Sequence, residues 1–266
     1  MPVINTDPLA NDKAVVLWFN RLELTGNEYF GDDPLNPGSN ALTDTTYDYW
    51  KQAGSGITTI KKVGTVAPVT SNAFGVSGHN LGTTGSKIYL RGSNDDVNFV
   101  NIIEPYAPLT DEDLLFIYPT VSYTYINVIV GESTGAYVTN IKLGSRLEFP
   151  CTPIVGYTPV NHSWRYQKYF NNSIEGHLLG NRVRAKGGTT TVSFPEIPRS
   201  FVDNELPGFE DHYARGRTFF YAGWPNGQPK DMGYCRASGE NDAVNVSYTG
   251  GSKLATVNFG INIHGQ

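Results

Sequence analysis

The run Val121–Val130, VSYTYINVIV, constrains the fold of this chain more than any other segment. It consists largely of β-branched and aromatic residues and has no Gly or Pro, so it suits a pleated sheet and crowds a helix. Turn-dense stretches flank the strand candidates around it, at Ser77–Gly85 and Gly92–Asp96. Candidate strands at Ala14–Leu24, Ile57–Val66, Ala73–Ser77, Lys87–Arg91, Asn98–Ile103 and Tyr137–Leu143 complete the first half. Seven or eight short strands with turns about 8–14 residues apart predict a sandwich or jelly roll rather than a βαβ fold. Composition agrees, with 29 Gly and 16 Pro for turns, abundant Tyr and Phe, and only 17% charged residues.

Pro150–Pro159, PCTPIVGYTP, breaks this pattern and is the expected linker between residues 1–149 and 160–266. Downstream, Arg182–Phe194 is read as a hairpin turning at Gly187-Gly188. Pro198–Tyr213 is the expected helix of this half, and Pro207-Gly208 divides it into two short pieces. Thr218–Trp224, Met232–Ala237, Ala243–Tyr248 and Lys253–Ile263 read as strands, the last alternating almost cleanly. Upstream, Thr110–Leu115 is expected to form a helical turn capped by Thr110. The fold class is therefore all-β: an N-terminal jelly roll or β-sandwich, then a second β-rich domain with one short helix.

Three pieces of the first half resemble the discoidin, or coagulation-factor type C, family of galactose-binding-like jelly rolls. They are Ala41-Leu42-Thr43-Asp44 with Tyr49-Trp50, Gly78–Gly82 with Lys87–Leu90 and Gly92–Asp95, and Tyr123–Val128 with Lys142-Leu143-Gly144. Asp96 stands where the family usually has Gly. The segment Arg199–Pro225, ending in FFYAGWP, is similar to the C-terminal part of bacteriophage minor tail proteins of the tail tip. This resemblance implies a virion component assembled in the host cytoplasm, with other tail proteins as partners and a homo-oligomeric ring as its form. The jelly-roll family also implies a structural calcium, for which Asp44 or Asp48 would be ligands. It further implies saccharide binding through loop aromatics, for which Tyr29, Phe30 and Asp32 are the candidates, although in a phage structural protein such aromatics are read first as anchors of protein–protein contacts.

Catalytic constellations are not evident in the sequence. The histidines at 79, 162, 177, 212 and 264 lack metal-ligand spacing. His212, beside Glu210 and Asp211, is read as the solvated edge of a helix, and His79 as a bridge between backbone groups in a turn. The acidic pairs Asp32-Asp33, Asp95-Asp96, Asp111–Asp113 and Glu210-Asp211 sit in turn or cap settings, where carboxylates bond local backbone. No Gly-X-Ser-X-Gly elbow occurs. Cys151 and Cys235 are read as two reduced, part-buried thiols, and Trp50 as a core residue. A net charge of −5 argues against nucleic-acid binding, and no apolar run is long enough to span a membrane. The expected function is a non-enzymatic structural subunit of a phage tail tip or baseplate. The alternatives are a carbohydrate-binding module for host surface glycan and, behind it, a glycan hydrolase.

Overall fold

The computed structural model describes residues 3–7, 13–23, 27–28, 33–154, 156–239, 242–249 and 253–264. The first half contributes β1 (Val3–Asn5), β2 (Val15–Leu17), β3 (Asn27–Glu28), β4 (Trp50–Lys51), β5 (Ser55–His79), β6 (Lys87–Ser93), β7 (Val100–Tyr106), β8 (Leu114–Thr134) and β9 (Tyr137–Gly144). The second contributes β10 (Leu147–Glu148), β11 (Trp164–Asn172), β12 (Leu178–Pro198), β13 (Phe219–Ala222), β14 (Met232–Ala237), β15 (Asn245–Thr249) and β16 (Leu254–His264). Helices α1 (Leu81–Thr84), α2 (Arg199–Asn204) and α3 (Pro207–Ala214) are short. The chain is all-β in class.

Two long strands build the jelly roll. Segments 57–66 and 73–77, separate in the sequence reading, lie on the single strand β5, which pairs antiparallel with β8. Register shifts fall between Gly64 and Val69 and between Ser71 and Ala73. Pro68 lies in the first shift and Pro119 opposite the second; each lacks a ladder donor, so the pairing slips there without ending. Beyond the shifts, Ala73–His79 of β5 pairs with β9, while Tyr125–Gly131 of β8 pairs with β6. Each long strand thus serves two layers. Phe74, Phe116 and Leu143 of one layer meet Ile88, Leu90 and Val128 of the other in a shared core. The Tyr106 and Phe116 rings cross that core edge-to-face at 5.5 Å.

The second sheet runs β10-β2-β13-β14-β16-β12-β11, with β15 on β16. Strand β13 reads FFYA and all four residues are buried, because both faces of the strand are covered. Phe219 and Tyr221 point into a core closed by Phe201, Leu206, Phe209 and Tyr213 of the helical segment. Phe220 and Ala222 point the other way, into a third core with Leu17, Ala73, Leu115 and Tyr234. That third core joins the outer face of the β5–β9 layer to the second sheet. Two jelly-roll layers, one further sheet and a helical cover therefore stack in that order.

Four expectations need correction. Val15–Leu17 does not belong to the first unit: it pairs with β10 and β13 in the second sheet. Its VVL run is apolar on both faces, which fits a strand between two cores and not a half-exposed one. Thr110–Asp113 is not a helical turn; it is a bend, and Asp111 accepts a 2.9 Å bond from the Thr83 amide of α1. Thr110 backbone lies against Gly82, where any Cβ would sit 2.4 Å from it. Gly187-Gly188 is not a turn, because β12 runs straight through it; the turn between β11 and β12 lies at 173–177. At Gly188 a Cβ would be 2.7 Å from Ser163 Oγ, so the glycine answers close packing and not a reversal. His212 is not solvated: it is buried, and one ring nitrogen bonds Thr218 O at 2.8 Å.

Candidate functional site

The turn between β13 and β14 walls one side of a recess. Gln228 N bonds Trp224 O at 2.8 Å, Asp231 N bonds Gln228 O at 2.8 Å, and Gly223 N bonds Asp231 O at 3.0 Å. This folds Trp224-Pro225-Asn226-Gly227 into a compact loop. A Cβ on Gly227 would lie 2.2 Å from the Trp224 indole, so only glycine lets the loop pass beneath the ring. Asn5 Nδ2 bonds Asn226 Oδ1 at 2.6 Å, and Val3 N bonds Pro229 O, so strand β1 braces the loop from outside.

Opposite the indole lies the linker. Pro153, Ile154, Tyr157 and Pro159 face Trp224, Gln228 and Asp231 across a volume of about 380 Å³. The lining is mostly apolar, and Trp224 is 41% exposed. The other three tryptophans are more covered, with Trp50 fully buried. Asp231 lies beneath the floor, accepting bonds at Oδ1 from Tyr157 OH (2.8 Å) and Val160 N (2.7 Å). Burial pushes its carboxyl above the usual range, against the lowering effect of those two bonds. Burial likewise raises the Tyr157 and Tyr221 phenols, and the neighbouring Asp231 carboxylate adds to it. An open aromatic face with a few fixed polar groups can stack and orient a small ring-shaped ligand.

A second, more polar recess of about 370 Å³ lies where the two units meet, lined by Asp44 and Thr46 on one side and Thr218, Arg236, Asn262 and His264 on the other. It has no open aromatic face, since Tyr234 is buried.

The sequence-derived candidates fall elsewhere. Tyr29, Phe30 and Asp32 lie outside the described residues. Asp44 accepts from Lys142 Nζ at 2.8 Å and Arg217 Nε at 2.9 Å, so both carboxylate oxygens face cations, the reverse of a calcium site. Asp48 accepts a single bond from Thr45 Oγ1 at 3.2 Å. Among the described residues no three His, Cys, Asp or Glu side chains converge as a metal site would require. Cys151 and Cys235 are both free thiols. Asp95 and Asp111 accept bonds from neighbouring amides and hydroxyls, and Asp211 pairs with Arg215 one turn on. Trp224 and Asp231 were not anticipated. The signal available was the Trp-Pro-Asn-Gly turn after a fully apolar strand, beside a proline-rich linker.

His79 and His212 give a pH dependence. Burial is the main cause in each and lowers both imidazoles from 6.5 to about 4, with backbone bonds only partly opposing it. The unfolded chain therefore binds these protons first, so stability falls as pH drops from 6.5 toward 4. The expected slope is at most about 1.4 kcal/mol per pH unit for each histidine. Urea midpoints measured across that window check it; a flat profile contradicts it.

No protein-family model matches this chain, and no curated protein does. Solved structures similar in part include a pectin-binding carbohydrate-binding module, 11% identical, spanning 47% of this chain and 91% of its own, at TM-score 0.38. Another is a carbohydrate-binding module from a family 31 glycoside hydrolase of Clostridium perfringens, 13% identical, with 48% and 98% covered and TM-score 0.37. A third is an α-L-fucosidase of Bacteroides thetaiotaomicron described as putative, 9% identical, with 48% and 28% covered and TM-score 0.40. Each alignment spans less than half of this chain, and the fold assignment rests on strand order and register instead.

Proposed function

We propose that this protein is a non-catalytic saccharide-binding protein, with the Trp224 recess as its ligand site. The observation that carries this reading is the part-exposed indole held over a recess by a glycine turn, with Gln228 and Asp231 beside it. Among the described residues no cationic side chain lines the recess, so its chemistry favours a neutral sugar over a uronate, whose carboxylate would face Asp231. Among the described residues Asp231 is also the sole carboxylate of the lining, whereas glycosidic hydrolysis ordinarily uses two. That supports binding without turnover.

Titration of the full chain with neutral oligosaccharides, followed by calorimetry and tryptophan fluorescence, tests the site. Trp224→Ala is expected to weaken binding roughly thirtyfold or more, the scale of losing a central aromatic anchor. Gly227→Ala, which displaces the ring without removing it, is expected to do much the same. Thermal unfolding should stay close to wild type in the first variant, because the indole is partly in solvent. Binding that survives both substitutions contradicts the assignment.

The second reading is a subunit of a phage tail tip or baseplate. The observation behind it is one of assembly in general: the ribbon of β11 and β12 carries uncovered apolar side chains. Its partners would then be neighbouring tail proteins and its location the virion. Mass spectrometry of purified particles tests this reading, and absence of the chain from them contradicts it.

A further inference from the structure

Strands β11 and β12 pair antiparallel from Trp164 opposite Gly188 to Asn172 opposite Leu178. Between Arg165 and Val183, every residue whose side chain is described is exposed except Ser173. The exposed set includes Tyr166, Tyr169, Phe170, Leu178, Leu179 and Val183, each more than half accessible. Phe170 and Val183 share one face of the ribbon, while Tyr169 lies opposite Arg182 on the other. Both faces are therefore partly apolar and both are open.

The edges are open too. Among the described residues β11 ends the sheet order and β16 joins β12 only from Gly187 onward, so there Leu178–Lys186 pairs with β11 alone. A two-stranded ribbon with no third layer is marginal in water, and an uncovered apolar strand edge invites pairing with another chain. An exposed apolar ribbon rimmed by charged residues marks an interaction site.

Charge identifies the partner. Residues 164–187 hold Arg165, Lys168, Arg182, Arg184 and Lys186 against Glu175 alone, a formal +4. With a chain total of −5, everything outside the ribbon carries −9. The body of another copy is thus the complementary surface. It also offers an apolar acceptor: Leu35 and Tyr47 are almost fully exposed beside the Tyr49–Tyr137 ring pair, with Asp33 and Asp48 on the same loop.

We propose that the β11–β12 ribbon of one chain docks on the Leu35–Tyr49 loop of a second copy, pairing basic and apolar side chains with acidic and aromatic ones. Ribbon and acceptor are different surfaces, so the contact either closes reciprocally between two copies as a two-fold dimer or repeats head to tail into a ring or filament. This assembly is independent of the saccharide reading.

Light scattering of the full chain over a concentration series should show species larger than one chain, shrinking as ionic strength rises. The variant Tyr169→Ser/Phe170→Ser/Leu179→Ser alters only exposed side chains. It should keep the wild-type melting profile and lose association by roughly thirtyfold or more. Carbodiimide cross-linking of mixed isotope-labelled and unlabelled chains should join Lys168 of one copy to Asp33 or Asp48 of the other. A monomer at every concentration, an oligomer untouched by the triple variant, or inter-copy links that avoid the ribbon would each overturn the proposal. So would burial of the ribbon only on phosphatidylserine vesicles, which would make the basic apolar surface a lipid contact.

Discussion

Phe220→Ala is expected to lower the folding free energy by about 3–5 kcal/mol, the cost of emptying a large aromatic from a closed core. The ring sits between the jelly roll and the second sheet, 5.0 Å from the Tyr234 ring, and is fully buried. Gly75 of β5 makes room for it: a Cβ there would lie 2.5 Å from the ring carbons. Neither backbone can retreat, since Gly75 pairs with Leu115 and Lys142 on either side and Phe220 with Leu17 and Tyr234. Gly75→Ala is therefore expected to destabilise by about 1–3 kcal/mol through overpacking. Combining it with Phe220→Leu should recover part of that loss, a positive coupling read from a double-mutant cycle. Urea denaturation measures all three variants. An unchanged midpoint in Phe220→Ala would mean that the two sheets do not share this core.

Asp44→Ala is expected to cost a similar amount, about 3–5 kcal/mol, because it strands a buried cation. The Lys142 side chain is 2% exposed and its Nζ meets Asp44 Oδ1 at 2.8 Å. Arg217 and Thr218, from the second unit, bond the same carboxylate, and Tyr234 OH links Thr218 to Asn140 of β9. The outer Arg217–Glu23 pair is largely in solvent and adds little. Asp44→Ala with Lys142→Met removes both charges and is expected to be much milder than the single change. Burial would raise the Asp44 carboxyl, but the Lys142 charge and the bonds from Lys142, Thr218 and Arg217 outweigh it and hold it well below the usual range. The folded value thus lies below the unfolded one, so this stabilisation is present above pH about 3.9 and fades as pH falls from there. Acid unfolding of Asp44→Asn should lack that limb; an identical acid profile would contradict the network.

Together the buried junction core and this polar network make the two units one body. A second buried pair, Arg146 with Asp7 at 2.8 Å, fixes the segment before β10 to the jelly roll, where Arg146 also bonds Asn72 O and Tyr118 O. The Trp224 recess is braced by β1, a strand that itself pairs in parallel with β8 of the jelly roll. The ligand site proposed here thus depends on the contact between units, although its lining comes from the linker and the second half alone.

The strand content of this protein was legible in its residues. The alternation within Lys253–Ile263, the β-branched run at Val121–Val130 and the helix split at Pro207 each follow from short-range periodicity or backbone chemistry, and each stands in the structure. Trp50 is in the core as its setting suggested. What local pattern does not contain is the identity of the covering layer. Continuous apolar runs such as Val15–Leu17, Leu114–Tyr118 and Phe219–Ala222 say that both faces are buried, but the partner across a face can come from far along the chain, as Leu17 meets Phe220. The same gap hid the burial of His212, the ion pairs of Asp44 and the recess at Trp224. Gly188 misled for a related reason: like Gly75 and Gly227, it answers a side chain approaching from elsewhere, and only the assembled fold shows which one.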